Sequence, residues 1–480
     1  MTSKIVFTRK LQSTHQQESF TKFLPLNHEL VKEIKIAVVE IFNAMGGKDL
    51  IKSSGDVYIK PNGIDAKPYC YTRPEVVKTV IEYWFAMGAK HVYLMENSTQ
   101  ANYTRIVFES NKYKKICKET GAIPIYLDED KTTLLKFTGK KPIAGRDINN
   151  YDLTSFKMPI TVVKKLIDRG QENLYINLPK LKTHSMSGVT LGIKNQWGFI
   201  DHQSRGFDHN YNLHCKLVDV LSYIQPDITL IEGIEGSIYG HYPVLKLADK
   251  CIKPFRLLIG SRNVVAADLV GAKIFGLEKK DVPHLQMAID LEFSGDIRNL
   301  QDIDMVGDII NLDSIDIIGD MPKNGSYPTD LYDSFPDDVK IIKGKELACR
   351  EGCVNNPLTL LQILYHDYNG KGGWTLLMGK GFDKQEILNL EGRVCIVGHC
   401  AIEEVSSVLI NKLKRKNVYL SGECNDLCST VEAMFHLMKV NPRNVVPLNP
   451  VMAIRAVIAA KLKGSKSRVP SPLSHILKRV

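Results

Sequence analysis

The residues best suited to chemistry are cysteines in the last third of the chain. They stand in the segments ACREGCVNN, VGHCAIEEV and SGECNDLCS, as Cys349, Cys353, Cys400, Cys424 and Cys428. The second and third segments each follow a run typical of a buried strand, RVCIV or NVYL, and each precedes a helix-like run. Loops that follow parallel strands meet at one edge of the sheet, so we expect these cysteines to lie close together. Thiolates gathered at helix N-termini are what a soft metal or an iron–sulfur cluster requires.

Three interpretations of these five cysteines stay open. The first is a four-iron cluster (4Fe-4S) held by three or four of the thiolates, and the second is a tetrahedral zinc. The third is a set of unligated thiols, one of them catalytic. The chain has ten cysteines, and without a secretion signal we expect thiols or metal ligands and not disulfides. The other five are predicted to be core or surface residues: Cys70, Cys117, Cys215, Cys251 and Cys395.

The densest group of polar and basic residues lies in segment 177–219. So many basic groups in a short segment repel one another unless an anion or carboxylates accompany them. We therefore expect a binding site for a phosphate or a carboxylate, although a solvated basic surface loop would have a similar composition. The candidate binding residues, two of which precede the segment, are Lys60, Asn62, Lys180, Lys182, Lys194, Asn195 and Arg205. His184 and His209 are candidates for general acid–base catalysis, whereas the spacing of His202, His209 and His214 does not suit a helical metal-binding pair.

Alternating strand-like and helix-like segments indicate which elements position these residues. Strand-like runs cover 56–60, 91–95, 173–177, 227–231 and 256–260, with helix-like runs between several of them. This alternation predicts an α/β fold with a large, mostly parallel sheet covered by helices on both faces. Polar residues follow each run, from Lys60 and Asn62 to Arg262 and Asn263, and we expect them to meet at the carboxyl edge of the sheet.

A stretch rich in Asp, Pro and Gly at 310–340 predicts a connection between two domains. The alternation then restarts, which predicts a smaller C-terminal α/β domain. We assign residues 1–335 to the large domain with the anion site and 336–460 to the C-terminal domain with the cysteines. Residues 461–480 form a basic tail, expected to be weakly ordered or to dock as a short helix.

The composition is that of an ordinary globular protein. The 480 residues are 44% hydrophobic and 24% charged, with a formal net charge of +10. This modest excess does not imply a nucleic-acid-binding protein and suits a small anionic substrate equally well. The polar N-terminus does not resemble a signal peptide, and no apolar run reaches the length of a membrane span, so a cytoplasmic protein without membrane contact is expected.

Several strings resemble a known family. The resemblance is carried by IKPNG and TRPEVVKTVIEYWFAMGAKHVYLMENS, and then by NLPKLKTHSMSGVTLGIKN, RGFDHNYNLHCKLVD and PDITLIEGIEG. The chain is similar to the "domain of unknown function 362" over roughly residues 55–275. Members of that family often carry ferredoxin-type iron–sulfur segments, so the resemblance implies an association with such clusters. This chain departs from that pattern because it lacks a C-x-x-C-x-x-C-x-x-x-C-P run. A cluster here would depend on the dispersed C-terminal cysteines.

These features lead to one expected function and two alternatives. We expect an iron–sulfur oxidoreductase that acts on an anionic small molecule and receives electrons from a partner protein. The first alternative is a non-redox, metal-dependent lyase, isomerase or hydrolase. The second is an anion- or nucleic-acid-binding protein with structural zinc. A homo-oligomer is compatible with all three.

Overall fold

The computed structural model describes most of the chain as two α/β domains that pack against each other. The described residues are 4–13, 19–51, 55–99, 101–136, 155–168, 172–202, 205, 213–308, 312, 335–349, 353–422, 426–441, 444–445 and 447–470. The N-terminal domain extends to residue 308, and the C-terminal domain begins at residue 335. Most of the predicted connection at 310–340 lies outside the described residues.

The N-terminal domain combines a large sheet with helices on both of its faces. Its strands are β1 (Ile5–Lys10), β2 (Val57–Pro61), β3 (Val92–Glu96), β4 (Ile123–Tyr126), β5 (Thr132–Lys136), β6 (Ser155–Pro159), β7 (Leu174–Leu178), β8 (Lys180–His184), β9 (Gly188–Thr190), β10 (Ile228–Ser237), β11 (Ile252–Lys253), β12 (Leu257–Ser261) and β13 (Asp304–Gly307). Its α-helices are α1 (His28–Ala44), α2 (Pro74–Ala86), α3 (Thr104–Ser110), α4 (Tyr113–Thr120), α5 (Ile160–Val162), α6 (Gly192–Asn195), α7 (Leu213–Tyr223), α8 (Ala248–Cys251), α9 (Val264–Ile274) and α10 (Pro283–Asp290). Short 3-10 turns occur at Gly47–Leu50, Leu127–Glu129, Gln196–Phe199, Leu245–Leu247, Lys279–Asp281 and Leu300–Asp302, and one π-helical turn at Val163–Ile167.

The large sheet is mixed but mostly parallel. Its strand order is β13-β1-β12-β10-β7-β2-β3-β4, with β11 and β8 also pairing with β10, and β9 pairing with β8. The pairs from β10 through β7, β2 and β3 to β4 are parallel, whereas β12 runs antiparallel to both of its neighbours. Strands β5 and β6 form a separate antiparallel pair.

Two hydrophobic cores lie on the two faces of this sheet. One packs α1 and α2 on the sheet through residues such as Phe42 and Trp84, which are fully buried. The other packs α7, α9 and α10 on the opposite face through residues such as Leu217 and Val265. Helices that cover both faces explain why the central strands are buried along their whole length, as expected of a parallel sheet.

The C-terminal domain is a small parallel α/β unit. Its sheet has the order β14 (Val339–Lys343), β15 (Trp374–Met378), β16 (Arg393–Val397) and β17 (Val418–Leu420). Its helices are α11 (Asn355–Tyr368), α12 (Lys384–Leu388), α13 (His399–Leu413), α14 (Leu427–Leu437) and α15 (Pro450–Leu462), with a 3-10 turn at Arg415–Asn417. All three strand pairs are parallel, so the loops that follow β15, β16 and β17 leave the same edge.

Helix α15 and the segment behind it return to the N-terminal domain. The small side chains Ala456 and Ala460 pack against Tyr103 and Ile106, at the start of α3. The Ser465 hydroxyl then donates to Asp128 at 2.6 Å. Residues 463–470 of the predicted basic tail therefore dock without forming a helix, and residues 471–480 lie outside the described part of the chain.

The predicted α/β architecture, with its smaller parallel C-terminal unit, is confirmed. The expectation that all five strand ends meet at one edge is wrong for β12, because this strand runs antiparallel to β10. Arg262 and Asn263 therefore lie at the opposite edge of the sheet. There the Asn263 side chain caps α9 by accepting hydrogen bonds from the backbone N–H groups of Val265 and Ala266.

Candidate functional site

A cavity of about 820 Å³ lies between the two domains. Its polar end is formed by the carboxyl ends of β2, β3 and β8 and by α6, and its other wall by helices of the C-terminal domain. Among the described residues, six lysine and arginine side chains and three carboxylates line it, an excess of three positive charges. Six residues predicted from the sequence for the anion site line this cavity, namely Lys60, Asn62, Lys182, Lys194, Asn195 and Arg205. His184, predicted for acid–base catalysis, lines it as well.

Lys60 is held in a buried ion pair at the floor of the cavity. Its Nζ atom lies 2.8 Å from Oε1 of Glu96, and both side chains are 1% exposed. Gly198 lies directly against the pair, since a Cβ atom at that position would be 2.8 Å from both Lys60 Nζ and Glu96 Oε1. The charge of Lys60 is therefore balanced within the protein, and Lys60 is less suited than its neighbours to bind an external anion.

Lys194 is the cation whose charge is least balanced by the protein. Lys194 is 8% exposed, and its ammonium makes no hydrogen bond to a described residue. Burial and the nearby charges of Arg205, Lys182 and Lys60 lower the pKa of Lys194 to about 7. No described carboxylate counteracts this effect on Lys194. A buried ammonium surrounded by like charges is stabilised when an anion enters the cavity.

Lys182 and Arg205 complete the group of cations. Lys182 donates to the backbone carbonyl of Cys70 at 2.5 Å, and burial lowers the pKa of Lys182 to about 8. Arg205 donates to the backbone carbonyls of Asn97 and Ser98 at 2.9 and 2.7 Å. Burial lowers the pKa of Arg205 to about 10, so its guanidinium stays charged at neutral pH. Together with Lys194, these side chains form the cationic group of the cavity.

Three asparagine side chains form a chain of hydrogen bonds at this end of the cavity. Asn62 donates through Nδ2 to Asn195 Oδ1 at 2.9 Å, and Asn195 donates to Asn177 Oδ1 at 2.8 Å. This chain of bonds sets the orientation of the Asn62 amide, whose Oδ1 atom is buried without a hydrogen-bond partner among the described residues. An unsatisfied buried acceptor is costly unless a ligand or water donates to it. Asn62 is therefore suited to accept a hydrogen bond from a hydroxyl group of a ligand.

His184 presents a defined ring atom to the cavity. The backbone N–H of Met186 donates to its Nδ1 atom at 3.1 Å, so the neutral ring carries its proton on Nε2. The ring stacks on His241, another cavity residue, with centroids 3.8 Å apart and planes 2° apart. Nε2–H is thus the group of His184 that could donate a hydrogen bond into the cavity.

Lys180 lies outside the described lining of the cavity and belongs to a buried network. Its Nζ atom is 2.8 Å from both carboxylate oxygens of Glu232 and 3.7 Å from Glu235. Arg73 pairs with Glu235 in the same network, with Nε 2.9 Å from Oε2. The structure therefore places Lys180 in a balanced network that supports β8 and β10.

Asp268 holds the short helix that carries Lys194 and Asn195. Its carboxylate accepts hydrogen bonds from the backbone N–H groups of Gly192 and Ile193 at 2.7 and 2.8 Å. Burial raises the pKa of Asp268 to about 7 despite these two bonds. Sequence reasoning did not identify Asp268 because it lies in the middle of α9, more than seventy positions from its partners.

The other histidines of segment 177–219 lie apart from one another. His209 lies outside the described residues. His202 bonds to the Ser98 carbonyl at 2.7 Å and to the Ser467 hydroxyl at 2.8 Å, and His214 contacts His284 with 3.0 Å between their Nδ1 atoms. The structure brings neither His202 nor His214 to the cavity lining.

Four described cysteines of the C-terminal domain lie in loops or first helical turns near one edge of its sheet, namely Cys349, Cys353, Cys400 and Cys428. Cys349 follows Leu347, which forms a β-bridge to Lys380 just beyond the end of β15. The Cys353 sulfur would be 2.7 Å from a Cβ atom at Gly398, just beyond the end of β16 and two residues before Cys400. Gly398 in turn donates to the Ser421 hydroxyl at 3.3 Å, just beyond the end of β17. Cys428 lies in the first turn of α14, near the same edge.

The described side chains alone do not complete a metal site. Among the described parts of the chain, no group of three or more histidine, cysteine, aspartate or glutamate side chains is arranged to hold a metal ion. Cys424 lies outside the described residues. Four of the five cysteines are described and supply thiol donors near one edge of the sheet, and the described residues alone define no ligand set. Cys395 is buried, and burial raises the pKa of its thiol to about 12, as expected of a core residue.

Sequence reasoning missed the contribution of the C-terminal domain to the cavity. Helices α11, α14 and α15 supply apolar side chains such as Ile363, Phe435 and Val457, and α11 also supplies Asp367. These residues look like ordinary helix faces in the sequence, and only the docking of the two domains brings them to the site. No helix within the described residues is both long enough and apolar enough to cross a membrane.

Comparisons with known proteins agree with the resemblance noted in the sequence. A thylakoid-associated protein of Synechocystis sp. is 28% identical over 257 residues, which cover 51% of this chain and 70% of that protein. A crystal structure of a Thermotoga maritima protein aligns over 85% of this chain and 83% of its own, with 11% identity and a TM-score of 0.37, too low to support an argument. Residues 57–273 match the sequence profile described as "Domain of unknown function (DUF362)", close to the range of the resemblance. The part of the chain that matches this family profile also supplies the cationic group of the cavity.

Proposed function

We propose that this protein is an enzyme that binds an anionic small molecule in the cavity between its two domains. The observation that carries the proposal is the buried Lys194 ammonium, which lines the cavity near Lys182 and Arg205 and has no carboxylate partner among the described residues. Burying like charges is unfavourable, and a bound phosphate or carboxylate would offset that cost. Charge-assisted hydrogen bonds from these three side chains would also orient the anion.

Two further residues suit chemistry on a bound anion. Asn62 Oδ1 would accept a hydrogen bond from a hydroxyl of the ligand, which distinguishes a hydroxylated anion from a simple one. His184 would donate a hydrogen bond from Nε2–H at the same end of the cavity, to an oxygen of the ligand on which negative charge develops. The C-terminal domain forms the opposite wall of the cavity.

We propose further that the enzyme is an oxidoreductase with an iron–sulfur cluster at the cysteine edge of the C-terminal sheet. Three or four of Cys349, Cys353, Cys400, Cys424 and Cys428 would hold a 4Fe-4S cluster. Support comes from the convergence of their loops and from Asn356 and Leu427, which line the cavity near Cys353 and Cys428. Such a cluster would supply single electrons, delivered by a partner protein.

Anion binding is tested first, by calorimetric titration of the full chain with inorganic phosphate and with lactate. We expect saturable binding of at least one of them in the wild type and at least a tenfold loss of affinity in Lys194→Met. Lys90→Met removes an exposed lysine on a distant loop and serves as the matched control. Absence of saturable binding of either anion to the wild type contradicts the proposal.

The cluster is tested separately, by iron and acid-labile sulfide analysis of protein purified without oxygen. We expect about four irons and four sulfides per chain, with loss of both in Cys353→Ala and Cys400→Ala. Cys215→Ala and Cys251→Ala, outside the C-terminal domain, should keep the full content. Stoichiometric zinc without sulfide identifies a structural zinc site, and a protein free of metal leaves an anion-binding enzyme without the redox function.

A non-redox enzyme is the second candidate, and the lowered pKa of Lys194 favours it. An amine with a pKa of about 7 can act as a general base near neutral pH. Turnover of a hydroxylated anion without any electron donor would support this candidate. Strict dependence of turnover on a reductant would exclude it.

Two properties of the proposed enzyme concern its surroundings. We propose a cytoplasmic location, whereas the Synechocystis relative is named as thylakoid-associated. Cell fractionation followed by immunodetection tests this, and recovery in the membrane fraction after a salt wash would contradict it. Size-exclusion chromatography with light scattering decides between a monomer and a homo-oligomer.

A further inference from the structure

The cavity has two chemically different halves. One half carries the cationic group and Asn62, all supplied by the N-terminal domain. The other half is lined by apolar side chains of α11, α14 and α15, such as Leu360, Val431 and Val457. A small hydrophilic anion would use only the first half and would leave an apolar wall in contact with water.

The apolar wall continues out of the cavity along one face of α15. Val451, Ile454, Ile458 and Leu462 follow one another at spacings of three and four residues, so they form a stripe on one side of the helix. They are 56%, 59%, 53% and 83% exposed, and Ile454 and Ile458 also line the cavity. The stripe spans about 16 Å at 1.5 Å per residue.

This exposure is not a consequence of a poorly packed helix. The opposite side of α15 presents Ala456 and Ala460, which are 6% and 0% exposed and pack against Tyr103 and Ile106. The helix is therefore docked through small side chains and presents its large ones outward. Contiguous exposed apolar surface of this kind marks a binding surface.

We infer that the ligand is an amphiphilic anion, a single molecule with a phosphate or carboxylate head and an aliphatic tail. This inference rests on the proposed function, because the head occupies the anion site at Lys182, Lys194 and Arg205. The tail follows the apolar wall past Ile454 and Ile458 and lies along the α15 stripe toward Leu462. Charge complementarity at one end, continuous with apolar surface at the other, selects this class over a hydrophilic anion. A cavity of about 820 Å³ lies within the usual range for ligand sites.

The test compares three probes in calorimetric titrations of the full chain, each below its micelle concentration. The probes are inorganic phosphate, dodecyl phosphate and dodecyl maltoside, which has the same tail on a neutral head. We expect dodecyl phosphate to bind at least tenfold more tightly than either of the others. Equal affinity for phosphate and dodecyl phosphate overturns the inference about the tail but leaves the proposed function intact. Failure of both phosphates to bind contradicts the anion site itself.

Variants assign the two ends of the ligand. Ile454→Glu should remove the preference for dodecyl phosphate and keep the affinity for inorganic phosphate, whereas Lys194→Met should weaken the binding of both. Val408→Glu on α13 is the matched control, since Val408 is 41% exposed and does not line the cavity. If Ile454→Glu leaves the affinity for dodecyl phosphate unchanged, the tail does not lie on this stripe. The wild type should not sediment with neutral phosphatidylcholine vesicles. If it does, and if Ile454→Glu abolishes this sedimentation, a membrane surface occupies the stripe and the inference is overturned.

Discussion

Lys67 Nζ lies 2.6 Å from Asp367 Oδ2, and this ion pair joins the two domains at the cavity. Both side chains are nearly buried, at 10% and 5% exposed. Asp367 also accepts hydrogen bonds from the backbone N–H groups of Leu245 and Lys246, at 3.1 and 3.0 Å. The Asp367 carboxylate on α11 therefore binds both Lys67 and the turn at Leu245–Leu247 of the N-terminal domain.

We predict that Asp367→Asn weakens the docking of the domains. The amide leaves the Lys67 charge nearly buried without its partner, which costs about 3 kcal/mol. Urea unfolding followed by circular dichroism should show this loss, and hydrogen exchange should rise in α11. Glu386→Gln breaks the exposed pair with Lys340 and should change stability by less than about 0.5 kcal/mol. Equal stability of the two variants would show that the interdomain pair is not important for docking.

Lys194→Met should make the protein more stable while it weakens anion binding. The buried ammonium lies among like charges, and a methionine of similar length removes that repulsion. We expect a gain of at least about 1 kcal/mol in the free energy of unfolding below pH 7. The pKa of Lys194 is about 7 in the folded protein and 10.5 ordinarily, so between these pH values the unfolded chain binds more protons than the folded one. The stability of the wild type therefore rises with pH from about 7 to 10.5. The advantage of the variant should therefore shrink toward alkaline pH. A destabilised variant would contradict this explanation.

The affinity for sulfate should fall as the pH rises. Sulfate keeps its charge throughout, whereas Lys194 and Lys182, with pKa values of about 7 and 8, lose theirs. We expect at least a tenfold loss of affinity between about pH 6 and about pH 9, measured by calorimetry. Binding near pH 8 should also take up protons, since the anion raises both pKa values, and titrations in buffers of different ionisation enthalpy measure this uptake. In Lys194→Met the part of the loss that begins near pH 7 should disappear, and a profile identical to the wild type would exclude Lys194 from the site.

Glu232→Gln should destabilise the N-terminal domain without affecting anion binding. Both carboxylate oxygens of Glu232 accept hydrogen bonds from Nζ of the fully buried Lys180. Glu232 also accepts a hydrogen bond from the backbone N–H of Arg73 at 3.0 Å. Removing one charge of a buried pair costs about 3–5 kcal/mol. Denaturant unfolding gives this loss, and calorimetry at low temperature should give an unchanged affinity for phosphate. Glu82→Gln, in an exposed pair with Lys35, is the control and should be nearly neutral.

Much of the N-terminal half of the site could be predicted from the sequence. Lys60, Lys182 and His184 follow or belong to strands, and the rule that ligands bind at the carboxyl ends of parallel strands places them together. The sequence does not reveal which lysines are balanced by carboxylates. Lys60 and Lys194 look alike as residues, yet one is paired with Glu96 and the other is not.

The remaining differences arise from tertiary structure. The direction of β12 is set by its pairing with β1 and β10, and a short apolar run looks the same in either direction. The roles of Asp367 and Ile454 depend on how two separate domains dock, which local patterns do not encode. The parallel C-terminal sheet, in contrast, could be predicted because each of its strands is followed by a helix with a clear boundary.

The close approach of Gly198 to Lys60 and Glu96 ties these three positions together in evolution. Any side chain at position 198 would enter the space held by the paired ammonium and carboxylate. A lineage that replaces this glycine must therefore move the ends of these two side chains, or shorten or remove one of them. Homologues in which the three positions have changed jointly would be natural double or triple mutants, and their ligand preferences would reveal what the buried pair contributes.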